Sequence, residues 1–258
     1  MNRVSNLLLT VLPYVAAELI QYIVISTLFI LFKGTNQEAV YIYSLIGTSV
    51  CGVVFFYWYQ KEWQGAKTGL RNKIINVRFL LIIALAAISC QLFFSGILSL
   101  LQPYFTSVFQ DYSKVIESIT AIKPFLLILM IGFVAPITEE LIFRGVVFRF
   151  ATRQVGFLGA NLLQAVLFGL YHGNLVQGSY AAILGFILGA ICYKFKSLLA
   201  AIILHIFINL SSLLLPLIPD EMLYRALMLV VGGICSAISF YYLFRKDEIQ
   251  PYVSSSLK

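Results

Sequence analysis

Apolar runs of about twenty residues recur along the whole chain, each closed by a short polar or basic interruption. A helix of about 20 apolar residues crosses the hydrocarbon of a bilayer. By that measure eight segments are predicted to span: 7–32, 39–59, 79–101, 125–150, 157–175, 179–194, 198–215 and 222–244. The opening stretch MNRVSNLLLTVLPYVAAEL has the outline of a signal peptide, but its apolar character continues to Phe32, so an uncleaved first helix is expected. The longest pieces between spans, 60–78 and 102–124, read as loops with some amphipathic character and leave no room for a separate soluble domain. The expected fold is all-α, a polytopic eight-helix transmembrane bundle forming one integral membrane domain over 1–258.

Composition agrees: 60% of residues are hydrophobic, 11% are charged, and the mean hydropathy is +0.92, well outside the range of soluble domains. The net charge of +7 does not point to nucleic acid, because the basic residues sit singly or in pairs at the ends of apolar runs. Placed there, lysine and arginine set membrane orientation. Lys61, Lys67, Arg71, Lys73 and Arg78, then Arg149 and Arg153, Lys194 and Lys196, and Arg245 and Lys246 all fall on one side. Opposite lie the mixed segment 102–124, the uncharged turn 173–178 and Pro219-Asp220-Glu221. A multi-pass protein of the plasma membrane with both termini cytoplasmic is expected. Cys51, Cys90, Cys192 and Cys235 each fall in a different apolar segment without a CxxC pair, and read as packing residues.

Few ionisable groups remain inside the predicted spans: Glu18, Glu139, Glu140, Arg144, His172 and His205, the last two being the chain's only histidines. Each costs a few kcal/mol, on the order of 2.5–3.5 on insertion scales, unless paired or wetted. Glu140 and Arg144 are four apart, which puts them on one helical face in the favourable order. Glu139 is turned from Glu140 by about 100° and has no cation three or four residues away. One glutamate is thus expected to be held by the arginine, the other left to take and return a proton. Pro136 just before them is expected to kink or break the helix.

Phe168 and His172 are four apart in LFGLYHG, and His205 and Asn209 four apart in HIFIN. Glu139, two histidines and Asn209 on three spans could activate and orient water. Taken singly, each has a plainer reading: a lone histidine or asparagine in a bundle commonly hydrogen-bonds a neighbouring helix, and Glu140 with Arg144 alone could be a structural clamp. Gly185 and Gly189 read as a GxxxG packing face. Glu18 has no assignable role. By counting along the predicted spans, Glu139 and His205 lie at similar depth and His172 deeper, so the fifth span must tilt or start near Ala160 if the three are to meet.

The ordered set EELIFR (Glu139-Glu140-x-x-x-Arg144), FGLYH (Phe168 to His172) and HIFIN (His205 to Asn209) resembles the three-motif signature of the CPBP family, the CAAX prenyl proteases and bacteriocin-processing enzymes also called Abi proteins. The resemblance covers 125–215 as the catalytic core. It implies an intramembrane endopeptidase opening to the cytoplasmic side, with Glu139 as general base aided by His172, His205 and Asn209 stabilising the oxyanion, and Glu140, Arg144 and Phe168 in support. The family has been described both as glutamic and as metalloproteases. A zinc held by glutamate and two histidines is therefore a second possibility, although no HExxH is present and Asn209 is a better oxyanion donor than zinc ligand. The substrate class implied is a peptide or membrane protein: a prenylated C-terminus, a bacteriocin or pheromone leader, or another membrane protein. Peptide maturation or self-immunity is favoured for a bacterial membrane. Two other readings are a non-catalytic immunity or regulatory protein that binds a membrane partner such as a sensor kinase, and a proton-coupled transporter.

Overall fold

The computed structural model describes residues 3–62, 75–219 and 221–245, and no strand occurs among them. Lys67, Arg71, Lys73, Asp220 and Lys246, which helped orient the chain above, lie outside the described residues. Helices α1 (Arg3–Phe32) and α2 (Gln37–Glu62) pack on each other, and α3 (Val77–Leu101) follows. The segment expected as a loop contains the amphipathic α4 (Thr106–Thr120), in which Phe109, Tyr112, Ile116 and Ile119 recur at helical spacing. Next comes a helical stretch, Pro124–Tyr171, made of α5 (Pro124–Leu127), α6 (Ala135–Glu140) and α7 (Phe148–Tyr171, kinked at Gly156), with the π-helical turns Ile128–Val134 and Leu141–Val147 between them. Helices α8 (Leu175–Phe195), α9 (Leu198–Ser212) and α10 (Met222–Phe244) complete the bundle. Helix α3 packs along α10 and α9, and α7 packs along α8.

Among the described residues seven stretches are long and apolar enough to cross a membrane, the fourth and fifth expected spans together forming one stretch of two helices that meet at a kink at Gly156. At 48 residues that run would measure about 72 Å, more than twice the hydrocarbon thickness. It bends at Gly156, where φ is +72° and ψ −177°. A side chain there would suffer the left-handed penalty, from which glycine is exempt. With the bend, the run supplies two limbs, and the bundle is the expected all-α polytopic one of eight rods.

Local sequence sets the ends of these helices. Asn76 Oδ1 accepts the Phe79 N–H, Asn174 Oδ1 accepts those of Val176 and Gln177, and Ser197 Oγ accepts that of Ala200. These caps satisfy amide groups that a helix start leaves orphaned.

Contacts between helix ends reproduce the alternation read from charge. Arg153 lies 3.6 Å from Glu62, Arg149 stacks over Tyr59, Phe79 meets Phe195, and Lys194 donates to the Arg245 carbonyl. These define a basic face. At the other end, Lys123 pairs with Glu38 at 2.7 Å, Gln37 donates to the Ser118 carbonyl, and the Tyr112 and Tyr180 hydroxyls are 3.4 Å apart. The half of the bundle beneath the basic face is densely packed, with Phe55, Ile83, Phe143, Ile191 and Leu204 fully buried.

Candidate active site

The site is built around α6, between two π-helical turns. Such turns add a residue to the helical register and are frequent where a helix must re-aim side chains. Here they also change the expected effect of Pro136. The helix is not broken: it shifts to π register upstream, with the Ala135 N–H bonded to the Met130 carbonyl. Pro136 has no N–H to offer the next carbonyl in that register, Ile131. Asn209 Nδ2 supplies the missing donor at 3.0 Å. So Asn209 is tied to the proline's backbone defect, and one of its two amide hydrogens is already committed.

Glu140 is fully buried, and one of its oxygens is a hub. Oε1 accepts from Arg144 Nη1 at 2.7 Å and from His205 Nδ1 at 2.8 Å. Arg144 is equally buried; its Nη2 donates to the Gly185 carbonyl at 2.9 Å, and its guanidinium lies 4.5 Å over the Phe168 ring. A charge in low dielectric is tolerated when paired and hydrogen-bonded in this way. Glu140 Oε2 and Arg144 Nε have no protein partner. Gly185 is required here: a Cβ on it would come 3.0 Å from Phe168 and 3.3 Å from Arg144 Nη2. Its GxxxG spacing therefore serves both helix packing and the reach of the arginine.

Glu139 takes the other side of α6. It is 8% exposed, and its Oε2 stands 3.6 Å from His205 Nε2, too far for a hydrogen bond. Together with His172, His205, Asn209 and Phe168 it lines one cavity of about 1120 Å³. All four residues proposed to act on water thus line one hollow, His172 from its place as the C-cap of α7.

Both histidines have a fixed tautomer. His172 Nδ1 is 2.8 Å from the Phe168 carbonyl, which can only accept, so Nδ1 carries the proton. His205 Nδ1 likewise donates to the Glu140 carboxylate. In each ring Nε2 is the nitrogen left for chemistry. Phe168 holds both rings edge-to-face, at 4.8 Å from His172 and 5.7 Å from His205.

Catalytic zinc would need three protein donors converging on one point. No group of three His, Cys, Asp or Glu side chains does so among the described residues. The donor set does not fit the ion as arranged, and no chemical step below passes through a metal.

Several polar residues behind the site escaped sequence reading. Gln164 Nε2 donates to the Gly185 carbonyl and to Asn161, which itself donates to Phe186. Gln21 donates to the Tyr171 hydroxyl at 2.6 Å and accepts from Thr48, whose carbonyl receives the Thr138 hydroxyl. The usable signal was an amide residue inside an apolar run, weighed above only for Asn209. Glu18 is exposed on α1 and hydrogen-bonds Tyr14.

The cavity does not open toward the basic face. Its walls continue through Gln177 and Tyr180, α4, and residues 213–216, all at the opposite end of the bundle.

Comparison with known proteins gives two matches. Residues 121–211 match the family model described as type II CAAX prenyl endopeptidase Rce1-like. A 158-residue stretch is 25% identical to the protein named "Putative membrane peptidase YdiL" of Bacillus subtilis (strain 168), covering 58% of this chain and 64% of that one. The chain therefore spans somewhat under two thirds of the length of the relative it matches. No solved structure matches.

Proposed function

We propose that this chain, which is similar to the CAAX-type membrane proteases over residues 121–211, is an intramembrane endopeptidase whose water is activated by Glu139. The observation that carries the reading is the split between adjacent glutamates: Glu140 is saturated by Arg144 and His205, while Glu139 faces the cavity without a hydrogen-bonded cation.

The chemistry follows from which protons are committed. The Glu139 carboxylate removes a proton from water as the water oxygen attacks the scissile carbonyl, and His172 Nε2 orients the same water. His205 already gives its Nδ1 proton to Glu140, so it can donate from Nε2 only as imidazolium, with Glu139 and Glu140 on either side to balance the charge. That Nε2–H and the uncommitted amide hydrogen of Asn209 receive the negative oxygen of the tetrahedral intermediate, each such donor contributing about 3 kcal/mol. Glu139 then returns its proton to the leaving nitrogen, the C–N bond breaks, and the new terminus leaves as a carboxylic acid. Glu140 acts as a positioning residue for His205, and Phe168 for both imidazoles.

Peptide maturation or self-immunity in a bacterial plasma membrane is the favoured setting. Purified protein should cleave a susceptible peptide, and Glu139→Gln, nearly isosteric, should lower turnover by about 10²–10⁴ without changing yield or thermal midpoint. Equal turnover in the variant overturns the assignment. A biological phenotype surviving both Glu139→Gln and His205→Ala would favour the non-catalytic immunity or regulatory reading instead.

A further inference from the structure

We infer that the outer face of α1 is a docking surface for a transmembrane helix of another protein, one that carries a lysine or arginine near the middle of its apolar run. The inference does not depend on the endopeptidase reading, because α1 contributes nothing to the cavity lining.

The observation behind it is the position of Glu18. Among the described residues, three carboxylates lie in the spanning stretches away from helix ends: Glu18, Glu139 and Glu140. The last two are buried within the bundle, whereas Glu18 is exposed and belongs to no cavity wall, so it faces the surroundings of the bundle. In the span Thr10–Phe32 it stands eight residues from one end and fourteen from the other, about 12 and 21 Å at 1.5 Å per residue. Hydrocarbon is about 30 Å thick, so the carboxyl group sits deep within it. A glutamate at that depth cannot reach an interface as a lysine or arginine near a helix end does.

The same face carries two more polar groups. Tyr14 and Tyr22 stand four residues to either side of Glu18, which sets all three in one row along the helix. Tyr14 hydrogen-bonds the carboxyl group, and Tyr22 is 71% exposed. Tyrosines of membrane proteins gather at the two interfaces; here they flank a glutamate at mid-depth. Of the seven spanning stretches, α1 also buries the smallest share of its residues. Its polar row is therefore open to a neighbour.

Charge decides the occupant. A carboxylate in low dielectric is tolerated when a cation is paired and hydrogen-bonded to it. Away from helix ends and the Gly156 bend, the one cation inside a described span is Arg144, which is buried against Glu140. A second copy of this chain thus has no mid-depth cation to offer Glu18, and two copies meeting through α1 would set carboxylate against carboxylate. The complement has to come from a different protein. Because Glu18 is near mid-span, a central lysine meets it whether the partner helix runs parallel or antiparallel to α1.

Binding of synthetic helices to the full-length protein in phosphatidylcholine liposomes tests this. Each probe is a helix of about 23 leucine and alanine residues, closed by tryptophans, with either lysine or leucine at its centre. Energy transfer from a dye on the protein to one on the probe reads association. The lysine probe should bind about tenfold more tightly than the leucine probe, as expected of one polar contact between membrane helices. Glu18→Gln and Glu18→Leu should each remove that preference while leaving the thermal midpoint of the protein unchanged.

Equal binding of the two probes to the wild type overturns the inference and leaves Glu18 a neutral carboxylic acid hydrogen-bonded to Tyr14. A preference for lysine that persists in Glu18→Leu overturns it too, because the cation is then read elsewhere. Energy transfer between two labelled copies of the chain, abolished by Glu18→Leu, would assign the face to self-association instead.

Discussion

The two halves of the bundle are built from the same helices to opposite ends. Beneath the basic face, α3 presents Phe79, Ile83, Ala86 and Cys90, all closely buried. Immediately beyond Cys90, the same helix presents Gln91, Ser95 and Ser99 to a cavity. Helix α9 changes at the same level, from Leu204 to His205 and Asn209. A membrane helix gains nothing by burying apolar groups away from lipid, so its association rests on close packing and on polar contacts. The packed half supplies that adhesion. The hollow half can then be spent on water and substrate without loosening the fold. The two adjacent glutamates sit on the boundary and divide between the halves, Glu140 into the packing and Glu139 into the hollow.

The strongest way to break the contrast is through Arg144. Arg144→Met leaves Glu140 buried with only a histidine partner, and should destabilise the protein by about 3–5 kcal/mol, read as a large drop in thermal midpoint of the purified protein in detergent. Replacing both members, Glu140→Leu with Arg144→Met, removes the uncompensated charge and should recover most of that loss. Hydrolysis should not recover with it, because His205 Nδ1 has then lost the carboxylate that holds the ring in place. A double variant that regains stability and activity together would show that Glu140 holds the fold and not the imidazole.

A smaller effect comes from overfilling the packed half. Ala86 is fully buried on α3, and Ala86→Leu should cost about 1–3 kcal/mol through displaced neighbours. Weaker again is Asn209→Ala. It orphans the Ile131 carbonyl that the π register and Pro136 leave unpaired, which should cost about 1 kcal/mol in the same unfolding measurement, with a loss of turnover beyond what that cost explains. Stability lost with turnover intact would reduce Asn209 to a brace for the proline.

These cases also show what could be read from sequence. Bilayer thickness imposes a length on each apolar run, so spans and fold class were legible, and the EExxxR, FxxxH and HxxxN spacings pointed to side chains that line one cavity or brace its wall. Three things were not. The way 125–150 turns into 157–175, at a kink rather than through a loop, depends on the torsions of Gly156, to which hydropathy is blind. The outcome at Pro136 depends on a donor contributed by Asn209, far along the chain, so a local rule that expects a kink or a break could not foresee the shift to π register. The direction in which the cavity opens depends on which end of each helix carries the polar groups. That asymmetry was present in the sequence, as Gln91 and Ser95 against Phe79 and Ile83, but it acquires a meaning only once the neighbouring helices are in place.

The contrast is sharpest where the expected effect on stability is least. Ser95 stands on the same helix as Ala86, about two and a half turns toward the hollow, and its hydroxyl meets only Gln91 Nε2 at a long 3.4 Å. Ser95→Leu adds the same kind of bulk as Ala86→Leu, but into open space. It should move the thermal midpoint by no more than a surface substitution does, within about 0.5 kcal/mol, because the added methyl groups displace solvent and not packed neighbours. Its cost should appear in peptide hydrolysis, as a raised KM for decapeptides and a smaller change for tripeptides, which do not fill the wall opposite the glutamate. If Ser95→Leu instead destabilised the protein as much as Ala86→Leu, the outer half would be closed and packed like the inner one, and Glu139 would have no solvent to act upon.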